Sequence, residues 1–267
     1  MGTAPVVARA ALHYWEEPVI SGSAGSGTVF FSGCNLGCKF CQNRKISAQR
    51  YGKQISVRRL AEIFKELELQ GAHNINLVTP THFIPAIIEA FKIYRPRIPV
   101  VYNCGGYESE QAIRAVAPYV DVWLPDFKYS DNALAAELSG VGDYAETAKK
   151  AVKLMAQLAG EPVIDNGLIK KGVIVRHLVL PGHTKNSIGV LGILDQLFPG
   201  RNVLLSLMSQ FTPEHSVAGH PELDRRITRR EYAQVFDALS ALDFDGFAQE
   251  VSSAKEEYIP PFDNQGV

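Results

Sequence analysis

The stretch Phe30-Phe31-Ser32-Gly33-Cys34-Asn35-Leu36-Gly37-Cys38-Lys39-Phe40-Cys41-Gln42-Asn43 holds three of the four cysteines in this chain of 267 residues. Their spacing is Cys34-x3-Cys38-x2-Cys41, so all three thiols come from one short loop. Cysteine thiolates hold iron–sulfur clusters, and three of them can each bind one iron of a [4Fe–4S] cluster. The fourth iron would then lack a protein thiolate and would be open to substrate.

Two other interpretations of the three cysteines have to be considered. Structural zinc is normally bound by four ligands in separated pairs, whereas the fourth cysteine here, Cys104, lies far along the chain. A Cys3His zinc site remains open. A disulfide explains the triplet less well, because three close cysteines cannot all pair and nothing in the sequence indicates an oxidising compartment.

The residues around the cysteines resemble a known family. The triplet, with aromatic Phe40 before its third cysteine, resembles the signature of the radical S-adenosylmethionine (SAM) enzymes. The form Cys38-x-x-Cys41-x-Asn43 is similar to that of the activating enzymes of glycyl radical enzymes. The longer string from Trp15-Glu16-Glu17-Pro18 to Gly33-Cys34-Asn35-Leu36 resembles the PflX-type homologues of pyruvate formate-lyase activating enzyme.

This resemblance implies a radical SAM oxidoreductase. The open iron would bind SAM, and reductive cleavage would yield methionine and a 5′-deoxyadenosyl radical that abstracts hydrogen from a substrate. The implied substrate is a backbone glycine of a glycyl radical enzyme, and a flavodoxin or ferredoxin would be the low-potential reductant. Modification of a small metabolite, a nucleotide or another peptide is the alternative, and a non-catalytic Fe–S or zinc-binding module is a remote one.

Short apolar segments alternate with amphipathic ones about six times along the chain, which predicts parallel strands joined by helices. An open doubly wound sheet and a barrel both fit this alternation. The family resemblance implies the second, as an α/β partial (β/α)6 TIM-like barrel with parallel strands. The predicted strands are 28–32, 74–78, 99–102, 120–124, 172–180 and 202–208, and the predicted helices are 56–70, 83–94, 109–116, 143–158, 186–197 and 228–242.

The barrel accounts for most of the chain, so we expect one main domain with short additions at both ends. Residues 1–26 are predicted to be an N-terminal extension of loop character, 27–246 the barrel, and 247–267 a C-terminal tail packing on it. Within the extension, Trp15, Glu16 and Glu17 are interpreted as surface or capping contacts.

Polar residues that follow the predicted strands are candidates for the site, because active sites of such folds lie at the carboxyl ends of the strands. The resemblance makes Cys34, Cys38 and Cys41 both the metal ligands and the catalytic centre, and places Phe40 over the adenine of SAM. The remaining candidates for cofactor binding are Asn43, Thr79, Thr81, Asn103, Lys128 and Arg176.

Several of these candidates have a structural interpretation as well. Thr79 and Thr81 stand where the superfamily often has Gly-Gly-Glu, and Thr81 is an equally good helix cap. Lys128 could meet the SAM carboxylate or form an ion pair at the strand end with Asp126. Arg176 lies inside a predicted strand, where a charged residue needs a partner.

The overall charge and hydropathy exclude some other functions. A net charge of −1 gives no electrostatic reason to expect binding to nucleic acid or to an anionic membrane. No apolar run approaches the roughly 18 residues that span a bilayer. We therefore expect a cytoplasmic monomer.

Overall fold

The computed structural model describes residues 3–213, 217–249 and 260–267, which form an α/β fold. In chain order the strands are β1 Val6–His13, β2 Ser26–Phe31, β3 Lys53–Gln54, β4 Ile75–Val78, β5 Val100–Cys104, β6 Val122–Pro125, β7 Val163–Asp165, β8 Leu168–Leu178, β9 Leu204–Met208 and β10 Gly246–Ala248. The helices are α1 Pro18–Ser21, α2 Arg44–Ser47, α3 Val57–Leu69, α4 Ile84–Ile93, α5 Glu110–Val116, α6 Asn132–Ser139, α7 Tyr144–Ala159, α8 Thr184–Leu197 and α9 Arg229–Ser240.

The order of the parallel strands decides between the two expected architectures. Strands β2, β4, β5, β6, β8 and β9 lie side by side in the order in which the chain makes them. A doubly wound sheet would reverse that order at a switch point, whereas an unbroken order is that of a barrel. Within the described residues the paired strands run from β10 to β3 without closing, so the predicted partial TIM-like barrel is confirmed.

Burial explains why the strand segments are apolar throughout. Every residue of β2, β4, β5, β6 and β9 is buried. Such strands are covered on one face by helices and on the other by the barrel interior, so they do not alternate between apolar and polar residues. All six predicted strands are present, with ends shifted by up to four residues, and the predicted cap of α3 is formed by Ser56, whose hydroxyl accepts from the Arg59 amide at 3.1 Å.

The N-terminal segment differs from its prediction as a loop. Residues 6–13 form β1, which pairs antiparallel with β2 and β3. The strand was not predicted because Arg9 interrupts the run of small apolar residues. In the structure the guanidinium of Arg9 extends away from the strand and pairs with Asp263 at 2.9 Å. A seventh parallel strand, β10, was not predicted either.

The C-terminal residues lie against the same edge of the sheet. The Ala10 amide donates to the Gln265 carbonyl at 2.9 Å, and the Asn264 amide donates to the Ala8 carbonyl at 3.0 Å. Residues 250–259 of the predicted tail lie outside the described residues. The division into 1–26, 27–246 and 247–267 stays a prediction. In the part of the chain described, no helix combines the length and the apolar character needed to cross a bilayer.

Two glycines with the same backbone twist provide a test of how tightly the strand ends pack. Gly106, after β5, has φ +77°, and a Cβ there would overlap the carbonyl oxygen of Asp126 after β6. Gly140 has φ +75° and nothing within 4 Å of a Cβ. We expect Gly140→Ala to lower the unfolding free energy by about 1–2 kcal/mol for backbone strain alone, and Gly106→Ala by a further 1–3 kcal/mol for the overlap. Urea unfolding measures both variants, and equal losses would contradict the close contact.

Candidate active site

The cysteine loop lies between β2 and α2, at the carboxyl ends of the parallel strands. Cys34, Cys38 and Cys41 are half-buried free thiols, and all three line one cleft of about 220 Å³. The turn that carries the last two is closed by the Cys41 amide, which donates to the Cys38 carbonyl at 3.3 Å. The cleft therefore has three sulfurs at one wall and the strand ends at the others.

Each of the three sulfurs accepts a hydrogen bond from a different donor. The Leu36 amide donates to Cys34 Sγ at 3.4 Å. The Ser139 hydroxyl donates to Cys38 Sγ at 3.0 Å, and the Ser47 hydroxyl to Cys41 Sγ at 3.2 Å. Donors of this kind stabilise negative charge on sulfur, as a bound thiolate requires.

The donor set fits an iron–sulfur cluster with one iron left open. Burial raises the pKa of the Cys34 thiol to about 12, so binding of iron, which takes thiolates, would release protons. Among the described residues, no three His, Cys, Asp or Glu side chains are arranged as a site for a single metal ion. The three thiols line a cleft of about 220 Å³.

The guanidinium of Arg176 lines the cleft and is largely shielded from solvent. Arg176 of β8 donates through Nε to Asp126 Oδ1 at 2.9 Å, through Nη1 to Glu16 Oε2 at 3.2 Å, and through Nη2 to Asn103 Oδ1 at 2.6 Å. The side chains of Arg176 and Glu16 are only 13% and 10% exposed. Three of the five N–H groups of Arg176 therefore donate to protein acceptors, which gives the arginine the partners that its place in a strand demanded.

Lys128 forms the ion pair that the sequence left open as an alternative to SAM binding. Its Nζ lies 2.5 Å from Asp126 Oδ2, and the residue lines the cleft. Burial opposes the charge of Lys128, but Asp126 and the nearby Cys38 outweigh it, so the pKa of Lys128 lies above its usual value. Lys128 is therefore a fixed positive charge at the cleft wall beside the cysteines.

The cleft brings together all the predicted site residues except one. Phe40 lies in its wall, with its ring 6.2 Å from that of Phe211 and inclined to it by 61°. Thr79 has a left-handed backbone (φ +55°) and donates its amide to the Asn103 carbonyl at 2.8 Å. The predicted residues that line the cleft are Cys34, Cys38, Phe40, Cys41, Asn43, Thr79, Asn103, Lys128 and Arg176.

Thr81 is the exception, and it takes neither of the two roles expected for it. It is not among the residues that line the cleft, and no side chain caps the turn Thr81–Phe83. Its hydroxyl donates to Glu108 Oε1 at 3.2 Å and accepts from the Tyr102 hydroxyl at 3.0 Å. Burial raises the pKa of Glu108 to about 7. Thr81 thus belongs to a buried polar cluster behind β5.

Glu16 is the main site residue that sequence reasoning missed. Glu16 and Glu17 were interpreted as surface or capping residues, but the side chain of Glu16 is only 10% exposed, and Glu17 is buried and makes no cap bond to α1. Glu16 Oε1 accepts from Asn76 Nδ2 at 3.0 Å. Glu16 and Glu17 directly precede α1, so in the sequence they resemble a helix cap. In the structure β1 brings the chain along the edge of the sheet before α1 begins, and the two side chains enter the barrel instead.

Comparison with known proteins agrees with this geometry. Residues 28–191 match the model of the Radical SAM superfamily. An uncharacterised protein of Methanocaldococcus jannaschii is 30% identical over 245 residues, covering 88% of this chain and 67% of its own length. The chain belongs to the radical SAM superfamily, whose members cleave SAM reductively with a [4Fe–4S] cluster, so the two predicted cofactors are confirmed.

Solved structures share the fold at low sequence identity. SuiB of Streptococcus suis superimposes with a TM-score of 0.56 at 12% identity, covering 87% of this chain and 50% of SuiB. Methylornithine synthase gives a TM-score of 0.53 at 15% identity, with 80% and 63% covered. The chain therefore spans about half the length of SuiB.

The contacts of Arg176 predict a strong dependence of stability on its charge. We expect Arg176→Gln to lower the unfolding free energy by about 3–5 kcal/mol, because it leaves Glu16 buried without its cation. The double variant Glu16→Gln, Arg176→Gln should lose less than the sum of the single variants. Denaturant unfolding of the four proteins measures the coupling.

The exposed pair of Arg114 with Glu110 at 2.8 Å is the matched control. Arg114→Gln should cost less than about 0.5 kcal/mol, since exposed pairs on one helix contribute little. Additive losses for Glu16 and Arg176 would mean that the two side chains do not interact.

Proposed function

We propose that Cys34, Cys38 and Cys41 hold the cluster of this radical SAM enzyme, and that its substrate is a backbone glycine of a glycyl radical enzyme. The observation that carries the first part is the arrangement of three free thiols, each with a hydrogen-bond donor, around one cleft. Cys34, Cys38 and Cys41 would hold a [4Fe–4S] cluster, which would supply the electron for reductive cleavage of SAM to methionine and a 5′-deoxyadenosyl radical that takes hydrogen from the substrate.

Residues of the cleft wall would orient SAM by charge and by apolar contact. Lys128 offers an ammonium to the carboxylate of the methionine moiety, and Asp126 holds that ammonium in place. Phe40 presents a ring to the adenine, while Asn43 and Thr79 offer hydrogen-bonding groups at the mouth of the cleft.

Arg176 has a second role in this proposal, besides the SAM contact that the sequence suggested. Through its hydrogen bonds to Glu16, Asp126 and Asn103 it positions those side chains. Asn103 is thereby held with its amide nitrogen 3.4 Å from Glu16 Oε1 and with its side chain in the cleft lining.

The glycine substrate is supported by the sequence around the cluster and by the open barrel. Cys38-x-x-Cys41-x-Asn43 is the form found in activating enzymes. In the described residues the strands do not close into a ring, which leaves a side from which an extended peptide loop can approach the cleft. With four cysteines in the sequence, one triplet and one isolated residue, a single cluster is expected, and flavodoxin or ferredoxin is the proposed reductant.

The cysteine assignment predicts which variants lose the cluster. Anaerobic reconstitution with iron and sulfide, followed by dithionite and SAM, should give 5′-deoxyadenosine and methionine with the wild-type protein and none with Cys38→Ala. Cys104→Ala should keep the full complement of iron and sulfide, because Cys104 is a buried cysteine hydrogen-bonded to Glu108 and is not a cluster ligand in this proposal. Iron loss in Cys104→Ala together with retention in Cys38→Ala would overturn the assignment.

The substrate is tested by following the abstracted hydrogen. The probe is a glycyl radical enzyme from the same organism, produced with glycine that carries deuterium on the α carbon. We expect deuterium in the 5′-deoxyadenosine and the electron paramagnetic resonance (EPR) signal of a glycine radical on the partner. The control is the same partner with its radical-site glycine changed to alanine. Cleavage of SAM without deuterium transfer would exclude this partner glycine and favour a small metabolite, a nucleotide or another peptide.

A further inference from the structure

The carboxyl end of α6 packs directly against the cysteine loop. The Gly37 amide donates to the Ser139 carbonyl at 3.1 Å, and the Lys39 amide donates to the Leu138 carbonyl at 2.8 Å. The last carbonyls of a helix lack partners within it. Two of the last carbonyls of α6 accept hydrogen bonds from the backbone amides on either side of Cys38, so α6 fixes the position of that cysteine.

The same helix end supplies a hydroxyl to the sulfur. Ser139 is 1% exposed, and its hydroxyl lies 3.0 Å from Cys38 Sγ and 2.6 Å from the hydroxyl of Tyr129, which is fully buried. A serine hydroxyl has a single hydrogen to donate. If that hydrogen goes to the sulfur, Tyr129 must donate to Ser139, and the hydrogen bonds run in one direction from Tyr129 through Ser139 to Cys38.

Tyr129 is itself held in place by aromatic packing. Its ring lies 5.2 Å from that of Tyr144 in an edge-to-face arrangement, and Tyr144 donates its hydroxyl to the Gly105 carbonyl at 2.8 Å. The donor end of the chain is therefore fixed by its packing against Tyr144.

We infer that Ser139, oriented by Tyr129, is a positioning residue that raises the reduction potential of the cluster through its hydrogen bond to Cys38. Reduction adds negative charge to a cluster and its thiolates, so a donor aimed at a ligating sulfur favours the reduced state. The bond is buried, and low local polarity strengthens both it and the bond that orients it. This inference rests on the proposed ligation by Cys38.

The test is a redox titration of the reconstituted protein followed by EPR, without SAM. Ser139→Ala should shift the midpoint potential to more negative values, and Tyr129→Phe should shift it in the same direction by less. The double variant should shift no further than Ser139→Ala, because Tyr129 acts through the serine. After exchange into deuterated water, pulsed EPR of the reduced wild-type cluster should show a deuterium coupling that is absent from Ser139→Ala.

Ser32→Ala is the matched control. Ser32 is also fully buried and is the first residue of the cysteine loop, but its hydroxyl donates to the Tyr51 carbonyl at 2.5 Å. Its loss should leave the potential unchanged. A potential in Ser139→Ala equal to that of the wild type, or an equal shift in Ser32→Ala, would overturn the inference.

Failure of the inference can be told apart from failure of the proposed ligation. A cluster retained in Cys38→Ala refutes the ligation and the inference with it. A cluster lost in Cys38→Ala but unshifted in Ser139→Ala refutes the inference alone. If Ser139→Ala binds too little iron for a redox titration, Tyr129→Phe replaces it as the test, because that variant keeps the serine in place. A negative shift of its midpoint potential supports the inference, and no shift refutes it.

Discussion

The hydrogen bonds of Arg176 hold the barrel interior together. One guanidinium on β8 joins the segment before α1, the end of β5 and the turn after β6. A charge in that position would be costly without partners, and each partner would be costly without the charge. The strand ends that form the cleft are therefore positioned together, and a change at one of them is felt at the others.

The cleft has two walls built on different principles. The cysteine wall is a loop whose position depends on backbone hydrogen bonds to α6 and on hydroxyl donors to sulfur. The opposite wall is a network of side-chain charges rooted in strands. Lys128 lies between them, paired with Asp126 and close enough to Cys38 to affect the thiol. In the proposed function, electron delivery would depend on the cysteine wall and SAM orientation on the charged one.

Much of the fold and of the candidate site was predictable from local sequence. The spacing of three cysteines on one loop predicts a metal cofactor, and the family resemblance identifies it as a [4Fe–4S] cluster. Continuous apolar runs indicate parallel strands whatever the chain does elsewhere. The choice of a barrel over an open sheet needed the family resemblance, because strand order is not encoded in periodicity. Polar residues at strand ends were good candidates for the same local reason, since those ends share one edge.

The missed features all depend on contacts between distant residues. Glu16 meets Arg176 across 160 positions, and Ser139 meets Cys38 across 101. No short pattern marks either contact, and Ser139 simply ends a helix that was not predicted. The contacts of Thr81 are also not marked by any short pattern: its hydroxyl follows β4, as the sequence indicated, but it is hydrogen-bonded to Tyr102 and Glu108.

The contact of residues 264–265 with β1 bears on how the molecule behaves at high concentration. An incomplete barrel has edge strands, and an edge strand offers free backbone groups to any extended chain. Here the Ala8 carbonyl and the Ala10 amide are already taken by Asn264 and Gln265, and β3 pairs with Val6 and Val7. A second molecule that tried to extend the sheet at this side would first have to displace those residues, so the segment protects this edge as ring closure protects a complete barrel.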